Sequence, residues 1–587
     1  MKASVWFYLG RLIAFSKGWY ALNVLFWVGI YTMPLLPGYL SKLFFDALQQ
    51  ENPTWNGLPY TVQMLVGLVL AYGVLHVATL FSGIATNIPW RFRSSGLLRL
   101  NIMQRILQMP GAKAFENTVG ETLNTLRDDA DEAENAGDWT LDIIGQIAYM
   151  VIAIGILLFI DAALTLYVFL PLVIVTLISY RARNRLEILQ KAAREKSSFY
   201  TSLLGEVFQS VQAIQVAGAE KMVLHQLELR SQARQRAMLR NVALNQALGV
   251  FSSNIVSLGT GLILLLAGSK MRSGEFTVGE FSLFVLYLWE VGHHTEFFGN
   301  FIATIQRADV AFTRMMGVMQ GASSQQLVAH QLIEMHRDPA PLETIVKRPE
   351  DDFKSLSVQN LSYSHLESGR GIQNASFTIQ HGEFVVITGR IGSGKTTLLR
   401  ALLGLLPVQS GKIFWNGQSI LEPAEFMIPP RSAYTPQVPA LISGTVRENI
   451  ALGTNQPLEP AIHSAVLETD LETLPHALDT LVGVRGLKLS GGQLQRTAAA
   501  RMFAQNSSLL VFDDISSALD VRTEQSLWER VSSLSKTCLV VSHRRPALQR
   551  ATRIILLEHG QITDTGTLEE LLSRSDEMRR LWADETA

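Results

Sequence analysis

A polytopic α-helical membrane domain of six spans followed by an α/β phosphate-loop domain is the fold class this sequence predicts, and three observations carry it. The chain of 587 residues is 48% hydrophobic with a mean hydropathy of +0.19, yet the apolar surplus lies before about residue 330 and the rest has the composition of a soluble α/β domain. Uncharged runs long enough to cross a bilayer recur in that first part. In the last third, the strand-like Phe384-Val-Val-Ile-Thr388 leads into Gly389-Arg-Ile-Gly-Ser-Gly-Lys395-Thr396 and then the helix-like Thr397-Leu-Leu-Arg-Ala-Leu-Leu.

The six predicted spans are residues 23–40, 63–88, 141–160, 163–180, 250–269 and 281–305. Basic residues orient them. Lys2, Arg11 and Lys17 precede the first span, Arg91, Arg93, Arg99 and Arg105 follow the second, and Arg181, Arg183, Arg185 and Lys191 follow the fourth, which places both termini in the cytoplasm. Lys42, Lys270 and Arg272 run against the pattern but are outnumbered. Residues 5–17, apolar with spaced basic positions, read as an amphipathic helix lying on the inner face. No small-residue cleavage site precedes the first long span, so a removed signal peptide is not expected.

Between spans, residues 91–138 and 181–241 are charged and rich in helix formers, so the membrane helices are expected to run on into the cytoplasm. Residues 320–352 mix Gly, Ser, Pro and charge and suit a linker, giving a membrane domain over 1–319 and a nucleotide-binding domain over 353–587. Lys and Arg total 50 against 51 Asp and Glu, so no basic surplus points to nucleic acid. The single cysteine, Cys538 in the strand-like Thr537-Cys-Leu-Val-Val541, is expected in the core, and a disulfide framework or cysteine zinc site cannot form within one chain.

The glycine-rich loop has the strand-to-helix context that a phosphate site requires. Gly389, Gly392 and Gly394, with Ser393 between them, let the backbone bend so that its N–H groups cradle phosphates at a helix N-terminus that begins with Lys395, Thr396 and Thr397. Lys395 would place positive charge on the β- and γ-phosphates and the Thr396 hydroxyl would ligate Mg²⁺. Further on, the apolar Leu509-Leu-Val-Phe ends in Asp513, a buried strand delivering a carboxylate where Mg²⁺ must be held.

With Leu489-Ser-Gly-Gly-Gln493 a short helix upstream of Asp513 and Ser517-Ala-Leu-Asp520 just after it, the C-terminal part resembles the nucleotide-binding domain of ABC transporters, so the α/β phosphate-loop domain is of the ABC type. The resemblance implies ATP and Mg²⁺ as cofactors. It makes Tyr363 the ring that stacks on adenine, Gln437 the sensor of Mg²⁺ and the γ-phosphate, His543 a γ-phosphate contact and Asp520 part of the nucleotide environment. It also implies that Ser490, Gly491, Gly492 and Gln493 close over an ATP held by a second nucleotide-binding domain, so the chain needs a partner. Over nearly the whole length the order of parts is similar to that of an ABC exporter half-transporter. Residues 118–129 and 209–220 resemble the coupling helices of that family, a solvated charged helix being the plain alternative for each.

What the resemblance implies is an ATP-hydrolysing translocase working by alternating access in a membrane, a bacterial inner membrane with the ATPase domain cytoplasmic being the expected setting. The expected cargo is an amphipathic small molecule, lipid or peptide, with membrane lipid as surroundings. No peptidase-like segment precedes the first span, which argues against the bacteriocin-processing branch. Two departures from the family pattern stand out. Asp514 occupies the position where the family usually has Glu beside the attacking water, and Val484 replaces a usual Glu that faces the coupling helices. A carboxylate drawn back by a methylene favours a slow site and pairing with a distinct second half-transporter over a homodimer. A slow, ATP-gated regulatory half and an exporter-fold importer stay open as alternatives.

The sixth predicted span carries Glu290-Val-Gly-His-His-Thr-Glu296, and Glu290, His293 and His294 share a helical face. Ionisable groups at that depth are costly in lipid and usually face a cavity or a partner. A substrate contact, a proton or metal site, a helix-packing network and an unspecific wet wall are all compatible with the pattern.

Overall fold

The computed structural model describes residues 3–49, 53–55, 58–111, 119–333, 347–365, 368–483, 486 and 488–584, with the side chains of 171–180, 182–184, 251–253, 255–256, 258, 269, 293, 295–296 and 517–518 outside the description. Val484 and the side chains of His293 and Glu296 therefore lie outside the described residues. The chain divides into two compact units, Met1–Ile106 with Glu116–Met335, and Leu107–Phe115 with His336–Ala587.

Among its described residues, the first unit is helical with a hairpin of two short strands. Its helices are α1 (Val5–Phe15), α2 (Lys17–Thr32), α3 (Leu35–Gln49), α4 (Val62–Gln108), α5 (Val119–Asn124), α6 (Ala130–Ile160), α7 (Ala162–Gln209), α8 (Val211–Val216), α9 (Glu220–Ser273), α10 (Val278–Val318) and α11 (Ser324–Leu327). The hairpin, β1 (Thr54–Trp55) and β2 (Leu58–Pro59), lies between α3 and α4. The first predicted span is split between α2 and α3 at Met33-Pro34, where proline supplies no backbone donor to continue the ladder. Among the described residues, Lys17–Gln49, Val62–Gln108 and Val119–Ile160 are long and apolar enough to cross a membrane. The other three predicted spans fall within α7, α9 and α10.

The long helices account for the charged excursions. At 1.5 Å per residue, the 47 residues of α4 extend for about 70 Å, over twice a bilayer's ~30 Å hydrocarbon core. The apolar surplus of α4 faces outward, with Leu70, Val74 and Phe81 all more than two-thirds exposed, as lipid-facing positions should be. The two segments expected to be coupling helices become α5 running into a π-helical turn, Thr125–Asp129, and the short exposed α8.

Two of the three basic residues that ran against the orientation pattern are paired with carboxylates. Lys42 pairs with Glu280 at 3.1 Å, the third helical residue of α10, which closes a capping box with the N-cap Thr277. Lys270 pairs with Asp161, which also caps α7 by accepting from Leu164 N. The amphipathic α1 buries its apolar face in protein: Val5, Tyr8, Leu9 and Leu12 pack with Leu97, Leu98 and Met315, and Tyr8 stacks on Phe312 with centroids 4.4 Å apart.

The second unit contains two sheets. Strands β3 (Ser355–Ser364), β4 (Gly371–Gln380), β6 (Ser410–Trp415) and β7 (Gln418–Ile420) form an antiparallel sheet in the order β4-β3-β6-β7. Strands β5 (Phe384–Thr388), β8 (Ser432–Thr435), β9 (Leu509–Asp513), β10 (Thr537–Val541), β11 (Arg553–Glu558) and β12 (Gln561–Gly566) form the other, in the order β12-β11-β5-β10-β9-β8. All neighbours in it are parallel except β11 and β12. β5, β9 and β10 are buried along their whole length, which is why they read as continuous apolar runs.

Candidate nucleotide site

Strand order gathers the predicted motifs. β5, β10, β9 and β8 are parallel neighbours, so their carboxyl ends lie on one edge of the sheet, where ligands of open α/β sheets bind. The phosphate loop follows β5, His543 follows β10, Asp513 ends β9 and Gln437 follows β8. They meet in a cleft of about 840 Å³ lined by Gly392, Gly394, Lys395, Thr396, Thr397, Gln437, Asp513, Asp514 and His543.

The loop needs its glycines for two separate reasons. Gly389, Gly392 and Gly394 hold φ values of 148°, 82° and 104°, in the region that side chains disfavour. A Cβ on Gly389 would also lie 2.1 Å from the Leu557 carbonyl oxygen. Helix Lys395–Leu402 starts directly behind, with Gly394 as its N-cap, so its unpaired N–H groups face the cleft mouth. Lys395 Nζ donates to the carbonyls of Gly389 and Arg390 at 2.7 and 2.8 Å, occupied by its own loop. Burial pushes its pKa down, against the pull of Asp514 and Asp513.

Opposite the loop, Thr396 Oγ1 donates to Asp513 Oδ1 at 2.9 Å and the Tyr434 hydroxyl donates to Asp513 Oδ2 at 3.2 Å. The threonine hydroxyl and the aspartate are thus adjacent, a hard-oxygen set suited to Mg²⁺ once phosphate and water oxygens join it. Gln437 Nε2 donates to Asp514 Oδ2 at 3.1 Å, which leaves its amide oxygen for a cation. Asp514 has a left-handed backbone, φ 51° and ψ 48°, and its Oδ1 is buried without a hydrogen-bond partner. Burial raises the pKa of both Asp513 and Asp514; nearby His543, Arg544 and Lys395 oppose the shift at Asp514.

Other predicted residues are placed elsewhere. Among the described residues lining the cleft, none comes from 489–493, and neither Tyr363 nor Asp520 is among them. Ser490 caps the helix Gly491–Ala504 in a reciprocal box with Gln493 and is exposed. The Asp520 carboxylate caps helix Val521–Ser533, accepting from Arg522 N and Thr523 N at 3.1 Å each. Tyr363 packs edge-on to His365 at 4.9 Å, and it is His365 that lines the cleft. Sequence reasoning missed His365, Arg370, Gln373, Ile391 and His559 as cleft residues. Proximity to the loop in sequence could have flagged only Ile391, since the rest arrive from the end of β3, from the start of β4 and from the β11–β12 turn.

Residues 20–289 match the family model for the ABC transporter transmembrane region, and residues 372–517 match the model for the ABC transporter itself. The chain belongs to the ABC transporter family. It is 26% identical over 581 residues to an ATP-dependent lipid A-core flippase of Ralstonia nicotianae, covering 96% of this chain and 94% of that one. It is 27% identical to ATP-binding cassette sub-family B member 6 of Xenopus tropicalis over 93% of its length, which spans 64% of that protein. In fold it is similar to a bacterial Atm1-family ABC exporter with ATP bound, with a TM-score of 0.72 over 98% of this chain and 99% of that one at 20% identity. This ABC transporter is thus an integral membrane protein with an exporter-type fold that binds ATP and couples its hydrolysis to transport.

The polar group in the transporter's membrane domain joins three helices. The Tyr31 hydroxyl of α2 donates to Asp142 Oδ1 of α6 at 2.8 Å. His294 of α10 is buried between Tyr31 and Tyr149, with ring centroids 5.8 and 4.8 Å away.

Proposed function

We propose that this chain is one half of a dimeric exporter in a bacterial inner membrane, moving an amphipathic small molecule, lipid or peptide, and that its own ATP site is the slower of two unlike sites. The observation carrying the reading is Asp514: a carboxylate one methylene shorter than glutamate, hydrogen-bonded to Gln437 in the cleft that holds Lys395 and Thr396. The exposed Ser490–Gln493 helix start supports dimerisation, because among the described residues none of these four lines the chain's own nucleotide cleft. The relatives' names support export of a lipid-like cargo, since the matched flippases act on lipid A-core.

In this reading Lys395 turns from its loop carbonyls to the β- and γ-phosphates, and the loop N–H groups and the helix start behind them hold the remaining phosphate charge. Thr396, Asp513 and Gln437 would hold Mg²⁺, which supplies charge neutralisation at the phosphates. Asp514 orients the attacking water from too far back, and His543 contacts the γ-phosphate. Ser490 to Gln493 cover the partner's ATP. Binding of two ATP molecules closes the nucleotide domains and favours the outward-open membrane state, and hydrolysis resets it.

The test is a pair of substitutions in the purified complex. Ser490→Arg obstructs the partner's site and Asp514→Ala disables this chain's own, so with unlike sites the first should remove most ATP turnover and the second little. Equal losses would show two equivalent sites and end the heterodimer reading.

A further inference from the structure

The phosphate loop is tied to the far end of the chain. Arg390, which nothing in the motif specifies, donates through Nε and Nη2 to the two carboxylate oxygens of Glu577 at 2.5 and 2.7 Å. Such a fork fixes orientation as well as distance. Glu577 is largely buried, its side chain 11% exposed, and the Arg390 hydrogen bond holds its carboxyl below the usual range, so the pair is ionised at neutral pH.

The anchor is firm. Helix Asp576–Asp584 buries Met578 completely in the core beneath β10 and β11. Its Trp582 lies 4.6 Å from the Arg545 guanidinium, which also donates to the Trp582 carbonyl at 2.7 Å. Arg545 stands two residues after His543. One helix therefore grips both the first limb of the phosphate loop and the segment that follows the histidine.

The loop's shape turns on the residue being gripped. The Arg390 carbonyl accepts from Ser393 N at 3.1 Å and from Lys395 Nζ at 2.8 Å. Its neighbour Ile391 is fully exposed, so packing of that crest side chain does not hold the turn. We propose that helix Asp576–Asp584 is a brace for the phosphate loop, with Glu577 a positioning residue that sets nucleotide affinity through Arg390. An ion pair with one partner mostly in solvent adds little to global stability. Holding a phosphate-binding loop in its bound shape before ligand arrives lowers the ordering cost of binding, so the effect falls on affinity.

The inference rests on the cleft holding ATP. The experiment uses the full-length assembled complex in lipid nanodiscs and photolabelling of this chain by 8-azido-ATP, titrated to half-saturation, with a thermal melt of each variant. Glu577→Gln should raise the half-saturating concentration about 3- to 10-fold with an unchanged melt. The double exchange Arg390→Glu with Glu577→Arg should recover most of that loss. Unaltered affinity in Glu577→Gln, or a loss that the exchange fails to recover, would overturn the brace. Lys395→Ala is run alongside, and unchanged labelling there would remove the nucleotide site itself.

Discussion

Asp514→Glu should speed hydrolysis at this chain's site. The added methylene moves the carboxylate forward by roughly 1 Å, and an error of that size in a reacting geometry is worth on the order of 10²-fold in rate, or about 2.7 kcal/mol at 1.36 kcal/mol per decade. The structure reduces that figure in two ways. Asp514 Oδ2 is held by Gln437 at 3.1 Å, and a longer side chain must keep or replace that bond. The left-handed backbone at φ 51° suits aspartate better than glutamate, and a side chain in that region carries a strain of roughly 1–2 kcal/mol per residue in general. Since the aspartate already bears part of this strain, a gain of about 10-fold or more should survive. The assay is phosphate release under single-turnover conditions from the complex in nanodiscs, because slow product release can mask a faster chemical step at steady state. Asp514→Asn is the control that keeps shape and removes charge. If the glutamate variant folds, binds ATP and hydrolyses no faster than the parent, the reach of the carboxylate does not limit this site.

Lys395→Ala should weaken ATP binding at this site about 10- to 150-fold, the worth of a charged hydrogen bond of roughly 1.5–3 kcal/mol, as read by direct binding to the complex. Cys538 is fully buried and its thiol is pushed up to about 12 by burial; a maleimide at neutral pH should leave the native chain unlabelled and mark one site after denaturation, and labelling of the native chain would contradict that burial. His294→Ala should lower the melting temperature of the membrane domain by opening a gap between Tyr31 and Tyr149. In that variant the order in which cationic, neutral and peptidic compounds stimulate ATP turnover should stay as in the parent, and a changed order would assign the face to recognition.

The parts of this protein written as local patterns were legible in its sequence. Apolar run length is a direct record of bilayer thickness, so 63–88 and 141–160 could be read without knowing their neighbours. The phosphate loop was equally plain, because Gly389, Gly392 and Gly394 are demanded by backbone angles within six residues. Asp513 could be assigned to the site because a buried strand must end in it. What required the tertiary structure were relations between distant segments. Lys42 and Lys270 looked misplaced until Glu280 and Asp161 were found beside them. The break at Pro34 fell inside what read as one continuous span. Residues 5–17 read as a helix lying on the inner membrane face, yet their apolar side is covered by the Leu97, Phe312 and Met315 cluster, which only packing reveals. His365 and His559 reach the cleft, and Glu577 reaches Arg390, only because the chain folds back on itself. A short-range pattern is set by the helix, strand or solvent a residue must satisfy by itself, whereas a pairing between distant segments exists only once helix packing or sheet order has brought its two ends together.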